Sequence, residues 1–315
     1  MVEPIVHVPG EPHLARPTLG YALVAIAATL FAVNGTVSKV ILGSGISAEE
    51  LTEIRCAGAL IGLVVLAAAT RPSSLRLRRR DLPLLVALGV VGLALVQWSY
   101  FFAIHRLEIG IALLIQFVGP ILVALWARFV YREPVRRRIW LALGLALAGL
   151  TLIVQVWQGG RLSGAGLAAA AVAGVTYAAY ILLAERGVRR RDPISLSAWG
   201  FFFATLFWSV LAPWWNFPAG RIGDDVSLLG NLAADHLPVW LLMLWMVVLG
   251  TIVPFLLVVS ALRHISATRA GVTGMLEPVV AIVVAWAWLG ESLEPAQLVG
   301  AALTLVGIGI AQTAR

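Results

Sequence analysis

The chain has 315 residues, of which 60% are hydrophobic and only 12% are charged. Its mean hydropathy of +0.93 is higher than a water-soluble domain of this size needs to fill one core. We therefore interpret it as an integral membrane protein, whose net charge of +7 reflects topology rather than nucleic-acid binding. The single cysteine, Cys56, excludes an intramolecular disulfide and any metal cluster built on cysteine.

Apolar stretches of helical length recur along the chain, separated by short polar breaks. About 20 residues at about 1.5 Å each cross the roughly 30 Å hydrocarbon core, and the stretches lack the alternation of outer-membrane strands. They predict an all-α integral membrane protein with ten transmembrane helices. The predicted spans cover residues 20–42, 48–70, 82–104, 109–130, 138–157, 163–184, 194–213, 238–262, 270–289 and 295–312.

Arginine is distributed unevenly between the two sets of connections. The breaks after the second, fourth, sixth and eighth spans hold 5, 4, 4 and 2 arginines, whereas the remaining breaks hold only Arg106, Arg161 and Arg221. Cytoplasmic loops of membrane proteins are enriched in arginine and lysine. The sequence therefore predicts that both termini are cytoplasmic.

The chain contains an internal duplication. When the segment from Ala103 is laid over the segment from Ala261, identical residues align at a constant offset. The aligned pairs are Ala103 with Ala261, Ala112 with Ala270, Pro120 with Pro278, Glu133 with Glu291, and Gly149 with Gly307. The duplication predicts two five-span repeats, residues 1–157 and 158–315, and because five is odd the second is inverted in the bilayer. Inverted repeats can expose one central site to either side in turn; the alternative is a duplication that only enlarged the scaffold.

Several polar side chains fall inside the predicted spans, where a charge costs roughly 2.5 to 3.5 kcal/mol on insertion scales. Candidate substrate-binding residues are Asn34, Lys39, Glu53, Arg55, Gln97, Trp98, Gln116, Tyr177, Tyr180 and Glu277. Lys39, Glu53 and Arg55, together with Glu50, are expected either to line an outward-facing vestibule that binds a zwitterion or to form a structural ion-pair cluster. For Lys39 a further alternative is that its side chain only snorkels to the membrane surface. Trp98 is expected either to stack on an apolar substrate or to face lipid.

Glu277 lies about 10 Å inside its span, too deep for its carboxylate to reach the surface. It is expected either to bind a cationic group or a proton, or to accept hydrogen bonds beside a helix distortion. Pro278 removes the N–H that would bond the carbonyl of Gly274, and Pro120 is its repeat counterpart in the fourth span. Both prolines are predicted to distort their helices, around a cavity lined by spans one, two, three, four, six, eight and nine.

Motifs of hydrolases, zinc proteases and nucleotide-binding proteins are missing from the sequence. It has no GxSxG, HExxH or GxxxxGK[ST] pattern, and its five histidines do not have metal-ligand spacing. We therefore expect neither an enzyme nor a bound metal or cofactor. Transport energy must then come from a gradient, or transport is passive.

The segments "IALLIQFVGPILVALWARFVYREP" and "VTGMLEPVVAIVVAWAWLGESLEP" resemble the two EamA domains of the drug/metabolite transporter superfamily. In that family a proline lies in the fourth span of each repeat and a glutamate follows the span. Pro120 and Glu133 match this pattern in the first repeat, although Arg132 replaces the usual glycine. Pro278 and Glu291 match it in the second, whose sequence is especially close to amino-acid and metabolite exporters. The resemblance covers nearly the whole chain and implies a ten-helix carrier of the bacterial inner membrane.

The expected function is a secondary transporter that exports amino acids or related small metabolites by alternating access. Its expected partners are a small-molecule substrate, the lipid bilayer and protons as a coupling ion, without nucleic acid. Two alternatives stay open. One is a multidrug or lipid-intermediate carrier of the same fold, and the other is an intramembrane enzyme, which would need a nucleophile and a base near a membrane surface.

Overall fold

A computed structural model of the chain describes residues 16–70, 72–107, 109–155, 157, 163–211 and 217–313. Within these residues ten helices are long and apolar enough to cross a membrane, which confirms the predicted number. Spans 1 to 10 are Pro17–Gly43, Ala48–Thr70, Arg79–Ile104, Gly110–Phe129, Arg137–Val154, Gly164–Val188, Pro193–Leu211, Val239–Ala261, Ala267–Leu289 and Pro295–Thr313. The predicted ends at residues 1, 213 and 315 lie outside the described residues.

Four of the spans are interrupted inside the membrane. Span 3 consists of Leu82–Ala87, a π-helix at Leu88–Leu95 and Val96–Ile104, and span 8 of Val239–Val247, a π-helix at Val248–Ile252 and Val253–Ala261. Span 4 is divided into Ile109–Gln116 and Gly119–Phe129, and span 9 into Ala267–Gly274, Leu276–Val284 and a π-helix at Ala285–Leu289. The first segment of span 9 ends at Gly274, 158 residues after Gln116 ends that of span 4. The interruptions therefore recur at the offset of the internal duplication.

Proline accounts for the position of the breaks in spans 4 and 9. Pro120 and Pro278 each stand in the first turn of the second segment, where a missing N–H is tolerated. In the interior of a continuous helix, each of these prolines would instead remove one backbone hydrogen bond, the one to the carbonyl four residues earlier. Each break therefore leaves a short first segment that ends near the middle of the membrane.

Spans 5 and 10 pack closely through small residues. A Cβ atom at Gly149 would contact the carbonyl oxygen of Gly300, and one at Gly307 would contact the carbonyl oxygen of Ala142. The Thr304 hydroxyl donates to the carbonyl of Gly300 at 3.0 Å. Lipid offers no hydrophobic driving force between helices, so this close backbone contact stabilises the pair by van der Waals packing.

The connections after spans 2, 4, 6 and 8 define what we call the arginine-rich face, and the others define the opposite face. On the arginine-rich face Arg191 fixes the connection between spans 2 and 3. Its Nη1 donates to Asp81 at 3.0 Å, and its Nη2 donates to the carbonyls of Ser74 at 3.0 Å and Arg76 at 2.8 Å. The side chains of Arg191 and Asp81 are only 8% and 5% exposed. This buried ion pair links the connection to the start of span 7.

On the opposite face, residues 217–238 form a strap across the ends of several spans. The strap contains the antiparallel strands β1 (Asp225–Ser227) and β2 (His236–Pro238). Arg221 donates from Nη1 to the carbonyl of Gly45 at 2.6 Å, between spans 1 and 2. Trp288, at the end of span 9, donates from Nε1 to the carbonyl of Leu228 at 2.7 Å. The strap therefore connects the end of span 1 to the end of span 9, and the sequence analysis did not predict it.

We predict that Arg191→Ala destabilises the protein. The substitution leaves the Asp81 carboxylate buried without its arginine, which typically costs about 3 kcal/mol or more. Thermal unfolding in detergent should show a lower midpoint than wild type. Arg190→Ala is the matched control, because the neighbouring Arg190 side chain is exposed. Equal midpoints for the two variants would show that the Arg191 ion pair does not stabilise the fold.

Candidate functional site

A cavity of about 100 Å³ lies in the middle of the membrane-spanning region. Spans 1, 2, 3, 4, 6, 8 and 9 line it, the seven expected from the sequence. Of the ten candidate residues, seven contribute to its wall: Asn34, Arg55, Gln97, Gln116, Tyr177, Tyr180 and Glu277. Aromatic side chains complete it, among them Phe31, Tyr100, Phe101 and Phe255. The structure thus brings together most of the polar groups that sequence reasoning placed inside the membrane.

A vestibule of about 680 Å³ lies between this cavity and the opposite face. Phe31, Gly35, Tyr100 and Glu277 line both spaces, so the two are adjacent and Glu277 stands at their junction. The outer wall of the vestibule carries further polar groups: Lys39, His105, Gln155, Glu291 and Gln297. A molecule in the vestibule can therefore reach Glu277 without crossing the hydrophobic core.

On its other side the cavity is closed toward the arginine-rich face. Gly20 of span 1 packs against Ile265, which is buried beside the start of span 9. The Glu185 carboxylate of span 6 accepts a hydrogen bond from the backbone N–H of Ala267 at 2.8 Å. Glu185 and Ala267 are both buried. This bond joins spans 6 and 9 across the closed side.

Arg55 is the basic residue in the cavity wall, and its side chain is held by span 8. Its Nη2 donates to the carbonyl of Gly250 at 2.9 Å, and its Nε donates to the hydroxyl of Thr251 at 3.0 Å. The guanidinium also lies 5.2 Å from the ring centroid of Phe101, within the range of a cation–π contact. Among the described residues no carboxylate forms an ion pair with Arg55. Glu277 is close enough to attract it electrostatically without direct contact.

Three amide oxygens in the cavity wall have no hydrogen-bond donor within the described part of the chain. They belong to Asn34, Gln97 and Gln116. The amide nitrogen of Gln97 donates to the carbonyl of Leu93 at 2.8 Å, so its oxygen is left as the free acceptor. A buried acceptor without a donor costs free energy. With Glu277, these oxygens make the cavity suited to a ligand that donates several hydrogen bonds, such as an ammonium group.

The structure places three candidate residues outside the inner cavity. Lys39 is exposed and lines the vestibule, and Glu53 is buried but borders neither space. The Trp98 ring packs against Trp208 at 6.2 Å and donates from Nε1 to Glu49 at 3.0 Å. Trp98 therefore does not border the cavity in this conformation.

The expected ion-pair cluster around Lys39, Glu50, Glu53 and Arg55 is not formed in the described residues, where both ion pairs involve Asp81. Instead Glu50 belongs to a capping box. Its carboxylate accepts from the Ser47 backbone N–H at 2.7 Å, and its own N–H donates to the Ser47 hydroxyl at 3.2 Å. Glu50 thus serves the start of span 2.

Sequence reasoning missed Tyr100, Phe255 and Thr251. The internal duplication contained a signal for two of them. Phe255 lies 158 residues after Gln97, and Val258, which also lines the cavity, lies 158 residues after Tyr100. Thr251 does not line the cavity, and it is linked to the cavity wall by its hydrogen bond with Arg55. No cluster of three or more metal-ligating side chains occurs among the residues the structure describes.

Comparison with known proteins identifies the class. A model of the EamA-like transporter family matches the chain twice, over residues 18–155 and 164–312. The chain therefore belongs to the EamA-like transporter family. It is a multi-pass membrane transporter of small molecules rather than an enzyme.

Several relatives are similar over most of their length. The threonine/homoserine exporter RhtA of Escherichia coli (strain K12) is 28% identical over 272 residues, covering 86% of this chain and 84% of that protein. RhtA of Salmonella typhimurium (strain LT2) is 30% identical over 259 residues, covering 80% and 78%. An uncharacterized transporter of Archaeoglobus fulgidus is 27% identical over 292 residues, covering 93% and 96%. A chain of known crystal structure has the same fold, with a TM-score of 0.74 at 18% identity, covering 93% of this chain and 96% of that one.

We predict that a cysteine at position 35 reacts with a membrane-impermeant thiol reagent. A side chain at Gly35 meets no other atom within 4 Å and lies where vestibule and cavity join. In a Cys56→Ser background, Gly35→Cys should be labelled only from the side that also labels His236→Cys on the exposed strap. Gly144→Cys, equally unobstructed but on the outer surface of span 5, should stay unlabelled because it faces lipid. Labelling of Gly35→Cys from the other side would contradict the position of the vestibule.

Proposed function

We propose that this protein is a secondary transporter that exports amino acids or related small metabolites across the bacterial inner membrane by alternating access. One observation carries the proposal: the basic residue Arg55 and the acidic residue Glu277 line the same membrane-buried cavity without forming an ion pair with each other. Charged side chains at this depth are costly, and in membrane proteins they commonly mark a substrate or ion pathway. A zwitterion would supply one partner for each of them.

The polar groups of the cavity suit the two charged groups of an amino acid. A guanidinium binds a carboxylate through strong, charge-assisted hydrogen bonds. Glu277 and the free amide oxygen of Gln116 offer acceptors for an ammonium group. The relatives named threonine/homoserine exporters support the same class of substrate.

A multidrug or lipid-intermediate carrier is the second candidate. The aromatic wall favours it, since Phe31 and Tyr180 both pack edge-on against Phe255, at 5.3 and 5.4 Å, around the cavity. Such a wall binds apolar or aromatic groups without requiring a carboxylate. Transport of uncharged aromatic compounds that is insensitive to loss of Arg55 would favour this candidate.

Alternating access and orientation rest on the two faces of the molecule. If the arginine-rich face is cytoplasmic, as the positive-inside rule predicts, both termini are cytoplasmic and the vestibule opens outward. The repeated interruptions of spans 4 and 9, with the two matches of the family model, support two inverted five-span repeats, residues 1–157 and 158–315. Glu277 is then accessible from outside in this conformation and is our candidate for the group that binds a coupling proton.

Transport by purified protein in liposomes tests the proposal. Labelled threonine, homoserine, leucine and phenylalanine should cross the membrane chemically unchanged. Arg55→Met and Glu277→Gln should each slow transport roughly tenfold or more, the value of a hydrogen bond to a charged group. Glu53→Gln is the matched control, because Glu53 is a buried carboxylate that borders neither the cavity nor the vestibule. Conversion of substrate to product would contradict a carrier, and an inactive Glu53→Gln variant would contradict the site.

A pH step across the liposome membrane tests coupling. If protons drive export, transport should respond to the step in wild type and lose this response in Glu277→Gln. Wild-type rates of export in Glu277→Gln at every pH would contradict both roles proposed for Glu277, proton coupling and ammonium binding.

We also predict that Glu185 holds the arginine-rich side closed. Glu185→Leu removes the acceptor for the Ala267 N–H, whereas Glu185→Gln keeps an acceptor of the same shape. In a Cys56→Ser background, Ala270→Cys in the cavity wall should become reactive from the arginine-rich side only with Glu185→Leu. Equal reactivity in the Leu and Gln variants would contradict a closing role for this hydrogen bond.

A further inference from the structure

The strongest unexplained feature of the site is the way Arg55 is held. Arg55 is 4% exposed, and its two observed hydrogen-bond acceptors, the Gly250 carbonyl and the Thr251 hydroxyl, are both uncharged. A buried charge is normally paired with an opposite charge. The acceptors fix the guanidinium in position but do not neutralise it. The guanidinium therefore remains able to bind an anion at this position.

The Gly250 carbonyl is available because of a proline. In an α-helix this carbonyl would accept from the N–H four residues later, and that residue is Pro254, which has no N–H. The carbonyl lies within the π-helix Val248–Ile252, and Pro254 stands in the first turn of the following segment. π-Helical turns inside helices are frequent at functional sites. Arg55 supplies a donor in place of the N–H that Pro254 lacks.

Thr251 completes the arrangement from the same turn. Its side chain is fully buried, and its hydroxyl accepts from Arg55 Nε while donating to the carbonyl of Met246 at 2.9 Å. The donation to Met246 orients the hydroxyl oxygen, so that its lone pairs face the guanidinium. Thr251 itself does not line the cavity. It can act on a substrate only through Arg55.

We propose that Thr251 and Pro254 are positioning residues, which together hold Arg55 so that it presents an unneutralised guanidinium to the carboxylate of the substrate. This inference rests on the proposed function. It adds that recognition of the carboxylate depends on the π-helical turn of span 8. Because Nε and Nη2 are occupied by span 8, Nη1 is the guanidinium nitrogen without an observed acceptor.

The test compares a carboxylate with its neutral ester. The probe pairs are L-threonine and L-leucine, each with its methyl ester, in liposome transport and in thermal-shift binding. Wild type should prefer the acid over the ester. Thr251→Val should raise the KM for the acid roughly tenfold, with little change in maximal rate, and should remove the preference for the acid over the ester. Thr251→Ser, which keeps the hydroxyl, should restore both.

The Pro254→Ala variant provides an independent test of the positioning role. Alanine restores the N–H that competes with Arg55 for the Gly250 carbonyl and also favours the helix. We expect unfolding at the same or a higher temperature together with a raised KM for the acid, a combination that simple loss of structure does not produce. Thr52→Val is the matched control, because Thr52 is fully buried and its hydroxyl bonds only to Ala48 of its own helix.

The outcomes separate the two proposals. If wild type neither transports nor binds any of the probes, the proposed function fails. If wild type transports them and Arg55→Met does not, yet Thr251→Val and Pro254→Ala behave like wild type, the positioning role is wrong and the function stands. Equal weakening of acid and ester in Thr251→Val, without rescue by Thr251→Ser, would also overturn the positioning role.

Discussion

Backbone groups that lose their helical partner inside a membrane must find another, because lipid offers no hydrogen bonds. This constraint governs the centre of the molecule. The prolines of spans 4, 8 and 9 interrupt three helices near the cavity, and the carbonyl released in span 8 binds Arg55. The interruption of span 8 thus supplies one backbone acceptor of the site, while the continuous spans 1, 2 and 6 contribute the polar side chains of Asn34, Arg55, Tyr177 and Tyr180.

The two ionisable side chains of the cavity wall, Arg55 and Glu277, are held apart from each other. Arg55 is held by uncharged acceptors, and Glu277 lies where the cavity joins the vestibule. A direct ion pair between them would satisfy both groups and leave little for a ligand. Their separation leaves each group able to bind an oppositely charged group of a ligand, and this is the physical basis for proposing a zwitterionic substrate.

Length and hydropathy sufficed to predict ten spans, since a helix must be long and apolar to cross a bilayer. The cost of a buried charge likewise pointed to Arg55 and Glu277. The same cost also selected Glu53, which lies outside the cavity. The sequence could not separate Glu53 from the other two residues, because it does not show which face of a helix lines the cavity. Thr251 gave no signal, since its role depends on a hydrogen bond between spans 2 and 8. The strap was missed because its strands are only three residues long.

The strap constrains how such a transporter can change shape. It connects the ends of spans 1 and 9 at the opposite face, where the two spans form one wall of the vestibule, through hydrogen bonds from Arg221 and Trp288. Spans 1 and 9 are therefore joined to each other at this end through the strap. In the described residues no hydrogen bond joins the strap to spans 3 to 5, although Leu228 of the strap belongs to the same hydrophobic cluster as Phe101 of span 3. Under the alternating access proposed above, closing the vestibule would therefore move the strap together with spans 1 and 9.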